Sequence, residues 1–215
     1  MLFTFLFEFG AAFYTIWRYK MTTTSRLAVA ILLSLGTFQL AEYMICGGLG
    51  LSHIEWTRLG YGAITLLPAL GIHMILSIAH KKSRVLLSLA YSTCIAFLLF
   101  FFLVNSAVSA NTCNPNYAVF NTDSVSVWPY LFYYYGWMAI GTYLAFEWST
   151  EIPKAKKALI GMALGYLSFI LPTTFFNVID PSTVKGIPSI MCGFAVLLAI
   201  VLVTIVLPSS VKERK

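Results

Sequence analysis

In the segment Trp56–Arg84, WTRLGYGAITLLPALGIHMILSIAHKKSR, an apolar run ends abruptly in Lys81, Lys82 and Arg84. A hydrocarbon core of about 30 Å takes about 20 residues of helix to cross. Basic residues collect in short cytoplasmic loops because positive charge resists translocation. Outward from this segment the same alternation repeats. Arg18, Lys20 and Arg26 follow the first apolar stretch, Lys154, Lys156 and Lys157 follow the fifth, and Lys212, Arg214 and Lys215 close the sequence. The intervening gaps hold only Arg58 and Lys185, offset by Glu55, Asp123 and Asp180. Twelve of the 14 lysines and arginines therefore mark alternate gaps. The pattern predicts an all-α integral membrane bundle of seven transmembrane helices in the plasma membrane, N-terminus outside and C-terminus cytoplasmic.

Composition agrees. Of the 215 residues 59% are hydrophobic and 10% charged, against about 25% charged in a soluble domain. The net charge of +6 sits at predicted membrane edges, where it meets anionic lipid headgroups rather than nucleic acid. The first apolar stretch lacks a basic n-region and a small-residue cleavage site, so it reads as a retained helix. The crossings fall at Leu2–Trp17, Leu27–Gly47, Leu59–Ala79, Val85–Val104, Trp128–Trp148, Ala158–Val178 and Ile187–Leu207. Residues 1–208 form a single domain and 209–215 a short basic tail, too short for an output module.

Polar residues within the crossings carry the functional information. An ionisable group in hydrocarbon costs about 2.5–3.5 kcal/mol even on insertion scales, so it faces the bundle, water or a partner. Glu8 lies nine residues before Trp17, roughly 13 Å at the helical rise and so near mid-membrane. Gln39 and Glu42, three apart, share one face of the second helix. Arg58 and Tyr61 open the third at the same outer level; the fifth contributes Tyr133, Tyr134 and Tyr135; the sixth contributes Thr173, Thr174 and Asn177. From this layer Glu8, Gln39, Glu42, Arg58, Tyr61, Tyr134, Thr173 and Asn177 are the expected ligand-binding residues. The competing structural reading has Glu42 pairing with Arg58 to fix helix packing, and Gln39 and the threonines acting as interhelical glue.

His73, toward the inner end of the third helix, is a proton-relay candidate or a structural histidine; it has no His or Cys partner at ligand spacing. Pro68 and Pro172 are expected to kink helices three and six and free carbonyls. Gly161 and Gly165 form a small-xxx-small face. Cys46 and Cys113 both fall on the outer side, where a disulfide can form; Cys94 and Cys192 read as packing residues. No metal or other cofactor is expected. The seventh helix has no lysine after Lys185 for a retinal Schiff base, and the histidines His53, His73 and His80 do not converge as a zinc hydrolase requires. No carbonyl filter motif or internal repeat is evident.

The run FQLAEYMICGG (Phe38–Gly48), followed by Trp56–Leu76 with its Trp-x-Arg opening and mid-helix Pro, resembles the seven-helix sensor region of some bacterial histidine kinases. Leu171–Asp180 and Ile187–Ile200 are similar to that region's closing pair of helices. The Gln39-x-x-Glu42 feature also resembles stand-alone bacterial seven-helix membrane proteins of unknown function. The first resemblance implies ligand sensing in the outer half of the bundle, passed to a separate cytoplasmic signalling partner because no transmitter domain follows Lys215. The expected function is thus a non-enzymatic sensory module binding a small molecule or lipid in the outer polar layer. The alternative is a proton-coupled transporter using Glu8, Glu42 and His73. A lipid-directed enzyme ranks last, since no nucleophile–base pair stands out.

Overall fold

The computed structural model describes residues 1–47, 50–104, 112–113, 118–119, 124–179 and 186–214. Seven helices run in sequence: α1 (Leu2–Arg18), α2 (Thr23–Gly47), α3 (His53–Ile78), α4 (Arg84–Leu103), α5 (Ser124–Glu151), α6 (Lys156–Ile179) and α7 (Ile187–Val201). A π-helical turn, Leu202–Val206, and a last turn, α8 (Leu207–Ser210), extend α7 into one rod. Between α4 and α5 a two-residue antiparallel ladder pairs Thr112 with Val119 and Cys113 with Ala118. The Cys46–Cys113 bridge expected from sequence involves side chains outside the described residues, as do Asp123, Asp180, Lys185 and Lys215 of the charge pattern.

Among the described residues five helical stretches are long and apolar enough to cross a membrane: Thr23–Ile45, His53–Ile78, Arg84–Leu103, Lys156–Ile179 and Ile187–Ser210. The architecture is that of a membrane protein. The 17 residues of α1 reach only about 25 Å, while tyrosines dilute the apolar character of the 28-residue α5. Local chemistry moves several ends from where apolarity alone would put them. Helix α3 starts six residues before Leu59 because Ser52 accepts from the Glu55 amide while the Glu55 carboxylate accepts from the Ser52 amide, a reciprocal capping box. It ends in a Schellman turn, with Lys81 N–H donating to Leu76 O and His80 in the left-handed position at φ 53°. The rod begun by α7 runs past Leu207 to Ser210.

Helix α3 is the hub. It packs against α2, α4, α5 and α6, while α7 closes the ring against α1, α2 and α6. It is buried on nearly every side, as expected of a helix apolar all round. By contrast, α4 buries only Ala90, Cys94 and Phe101, and α1 only Glu8, Ala11, Ala12 and Thr15. Phe3, Phe13 and Trp17 of α1 and Val85 and Leu103 of α4 point outward. The Gly161/Gly165 face is used within the chain, against Ile205 and Val206 of the π turn and Leu198 of α7.

Hydroxyls cluster around two of the prolines inside helices, Pro68 and Pro172. Pro68 cannot donate to the carbonyl of Ile64. One residue on, Thr65 O accepts from Tyr133 Oη of α5 at 2.7 Å and from Cys94 Sγ of α4 at 3.4 Å. The Thr65 hydroxyl lies 3.1 Å from Tyr130 Oη, so α3, α4 and α5 are joined beside Pro68. Around Pro172, Thr173 and Thr174 donate back to Phe169 O and Ile170 O. These hydroxyls engage carbonyls one or two residues past those the prolines leave free, Ile64 O and Ser168 O.

At the end of the bundle where α1, α3, α5 and α8 finish, Lys20 N–H donates to Lys212 O and Arg214 N–H to Arg18 O. Arg18 pairs with Glu213 at 2.7 Å, and Lys81 with Glu151 at 2.6 Å. The segment after α8 is therefore clasped to the α1–α2 connection. Each exposed ion pair adds at most about 1 kcal/mol, so the backbone pairing carries the clasp.

Tyr166 of α6 reaches into the hub with its hydroxyl against Gly71 and its ring against Gly141. A Cβ on Gly71 would lie 1.6 Å from Tyr166 Oη and 2.9 Å from Cζ. Gly71→Ala should therefore lower stability by about 1–3 kcal/mol through overpacking, read as a lower melting temperature in detergent. Adding Tyr166→Phe should recover part of the loss, because the ring carbon remains too close.

Candidate functional site

Two polar contacts bring α1, α2 and α7 together. Helices α1 and α2 run antiparallel, and Thr4 Oγ1 lies 2.9 Å from Gln39 Oε1, to which it donates, and 2.6 Å from Met1 O. One turn along α1, Glu8 packs opposite Gly36: a Cβ on that glycine would lie 3.5 Å from Glu8 Cβ and collide with the Phe9 ring. The missing side chain at Gly36 is what lets α1 lie this close. Three residues on from Gln39, Glu42 accepts at Oε1 from Ser189 Oγ of α7. Cys192, one turn on from Ser189, lies within electrostatic reach of both Glu42 and Glu8.

The burial is deep. Glu8 is 0% exposed, and Gln39 and Glu42 are 2% each. Glu42 has the Ser189 hydroxyl and Gln39 the Thr4 hydroxyl, but neither oxygen of Glu8 has a hydrogen-bond partner among the described residues. An ionised carboxylate so placed lacks the hydrogen bonds and counter-charge that make burial tolerable.

Of the residues expected from sequence, Glu8, Gln39 and Glu42 share this α1–α2–α7 junction. Tyr61 and Tyr134 belong to a second group. Tyr61 stacks on Phe101 at 4.7 Å and meets Tyr130 at 5.9 Å. Tyr134 borders a cavity of about 20 Å³, walled also by Leu35, Leu67, Tyr166, Phe169 and Cys192. That volume admits about one water and no metabolite. Thr173 is fully buried and bonded within α6. Arg58 and Asn177, half-buried, stand in the end turns of α3 and α6. His73 lies elsewhere: its Nδ1 is 3.0 Å from Tyr91 Oη of α4 with the rings edge to face, and no described hydrogen bond joins it to Glu8 or Glu42.

Sequence reasoning passed over Thr4, Ser189 and Cys192 as site residues. Ser189 and Cys192 stand three apart on α7, the same spacing that marks Gln39 and Glu42, and that periodicity was the available signal. Thr4 carried none, being one hydroxyl near a helix start. Among the described residues no three His, Cys, Asp or Glu side chains are arranged to hold a metal ion. Compared with protein families, characterised proteins and solved structures, the chain matches none.

The Glu42–Ser189 bond joins helices far apart in sequence. A double-mutant cycle with Glu42→Gln and Ser189→Ala should give a coupling of roughly 0.6–1.7 kcal/mol, the range for interhelical hydrogen bonds in membranes. Unfolding in mixed micelles measures it; zero coupling would mean the two side chains act independently.

Proposed function

We propose that this chain is a seven-helix sensory and binding module of the plasma membrane, with its N-terminus outside and its C-terminus cytoplasmic. In this reading all seven helices cross the bilayer, and a small species binds in the polar layer among α1, α2 and α7. The orientation rests on the basic clusters at alternate gaps. The observation that carries the binding reading is the burial of two carboxylates in one three-helix junction, Glu42 held by Ser189 of α7 and Glu8 with no hydrogen-bond partner among the described residues. Intramembrane carboxylates are costly and mark sites of ligand or ion binding. The resemblance of Phe38–Gly48 and Trp56–Leu76 to sensor regions of histidine kinases supports the same reading.

Output passes to a separate cytoplasmic partner through the end where the clasp ties α1 to the segment after α8. Membrane lipids surround the exposed faces of α1 and α4. Binding without turnover is the reading we favour for a junction that presents carboxylates, an amide and hydroxyls. Proton-coupled transport through Glu8, Glu42 and His73 is less favoured, because His73 is engaged with Tyr91 on the α4 side.

Thermal unfolding of the purified protein across pH, monovalent and divalent cations, small metabolites and anionic lipids tests this reading. At least one condition should shift the wild-type melting temperature by several degrees and leave Glu42→Gln unmoved. If no condition shifts the wild type and Glu42→Gln simply melts lower, Glu42 is a packing residue and the reading fails.

A further inference from the structure

Helix α1 meets the bundle along one narrow stripe: Glu8, Ala11, Ala12 and Thr15. Thr15 donates its hydroxyl to Ala11 O at 2.7 Å, and the two alanines need no partner. Glu8 is then the one polar side chain of the stripe left without a partner, fully buried, with both oxygens empty of donors among the described residues. A carboxyl with that placement belongs to a site with an occupant.

The occupant's class follows from what surrounds those oxygens. A divalent cation needs about six or more oxygens converging on it, and no described group of three acidic, His or Cys side chains is arranged to hold one. Beside the Glu8 Cβ lies the bare backbone of Gly36, and the Phe9 ring packs against that same glycine. The titratable groups facing it are few. On its own helix the Met1 ammonium exerts its charge from two turns away. From α2 there is Glu42, with the neutral Gln39, and from α7 Cys192, which lies in reach of both carboxylates. Another carboxylate and a thiol offer no compensating charge, so a proton is the one ligand that needs no oxygen but Glu8's own.

We infer that Glu8 is a proton-binding site, and that the species taken up by the α1–α2–α7 layer is a proton bound on Glu8 when α1 is seated against α2. This rests on reading the layer as a binding site and names its ligand. Loss of the proton to solvent breaks the O–H bond and leaves a carboxylate in the apolar seam, which drives the N-terminal half of α1 away from Gly36. The other end of α1 stays tied through Arg18 and Lys20 to Lys212–Arg214, so the helix pivots about the clasp and the movement reaches the segment after α8.

Infrared difference spectroscopy of the full chain in lipid nanodiscs across pH tests this directly. At neutral pH the wild type should show the carbonyl stretch of a protonated carboxylic acid. That band should disappear on alkalinisation, be absent in Glu8→Gln, and be shifted in Glu8→Asp, which secures the assignment should Glu8→Gln fail to fold. In parallel, the wild-type melting temperature should fall as pH rises, because the folded state holds a proton that the unfolded chain gives up. Glu8→Gln should show no such fall over that range. Three results overturn the inference: no such band at neutral or mildly acidic pH, a band that survives in Glu8→Gln, or a band displaced at constant pH by sodium, potassium or calcium. A band at Glu8 with no melting shift anywhere in the ligand panel other than with pH confines the layer to protons. A missing band with a metabolite or lipid shift leaves the binding reading standing and removes the proton.

Discussion

In a hydrocarbon core a polar group has no water to bond, so each must find its partner on its own or a neighbouring helix. Around the hub helix that requirement is met in three ways. Thr15, Thr173 and Thr174 fold back onto carbonyls of their own helices. Thr65, three residues before Pro68, gathers Tyr130, Tyr133 and Cys94 from two neighbours. Gln39 takes a hydroxyl from α1 and Glu42 one from α7. Against that background Glu8 departs from the rule. A group that breaks a constraint its neighbours obey is the natural place to look for function.

Packing and function are tied through α2. Its small Gly36 admits α1, its Gln39 and Glu42 bind α1 and α7, and its far face packs on α3. Helix α1 is otherwise thinly attached, with four buried residues and large aromatics turned outward. Such an element moves at low cost, whereas α3 cannot move without disturbing four neighbours. The clasp between Arg18–Lys20 and Lys212–Arg214 then gives motion of α1 a defined far end.

The helical fold was legible because apolar stretches of membrane length and the basic residues between them are both chain-local signals. Their ends were less so: the Ser52–Glu55 capping box and the π turn at Leu202–Val206 override hydropathy over one or two turns. The pairing of Gln39 with Glu42 on one face followed from helical periodicity, and the burial of Glu8 from the cost of a carboxylate in an apolar helix. What stayed hidden was azimuth. Sequence placed Glu8, Glu42, Tyr61, Tyr134 and His73 by depth, but which faces meet depends on the order of helices around the ring. That order separates His73, on the α4 side of α3, from the α1–α2–α7 junction, and it makes Ser189 a partner of Glu42.

Buried polar groups of α1 and α2 become a site only because α7 closes onto α2 at Glu42. The most direct measurement is thiol cross-linking in native membranes, with Cys46, Cys94, Cys113 and Cys192 replaced by serine. In that background Glu42→Cys with Ser189→Cys should be joined efficiently by a short bifunctional thiosulfonate, while His73→Cys with Ser189→Cys should not. Absence of the first cross-link, or appearance of the second in its place, would contradict the arrangement from which the rest follows.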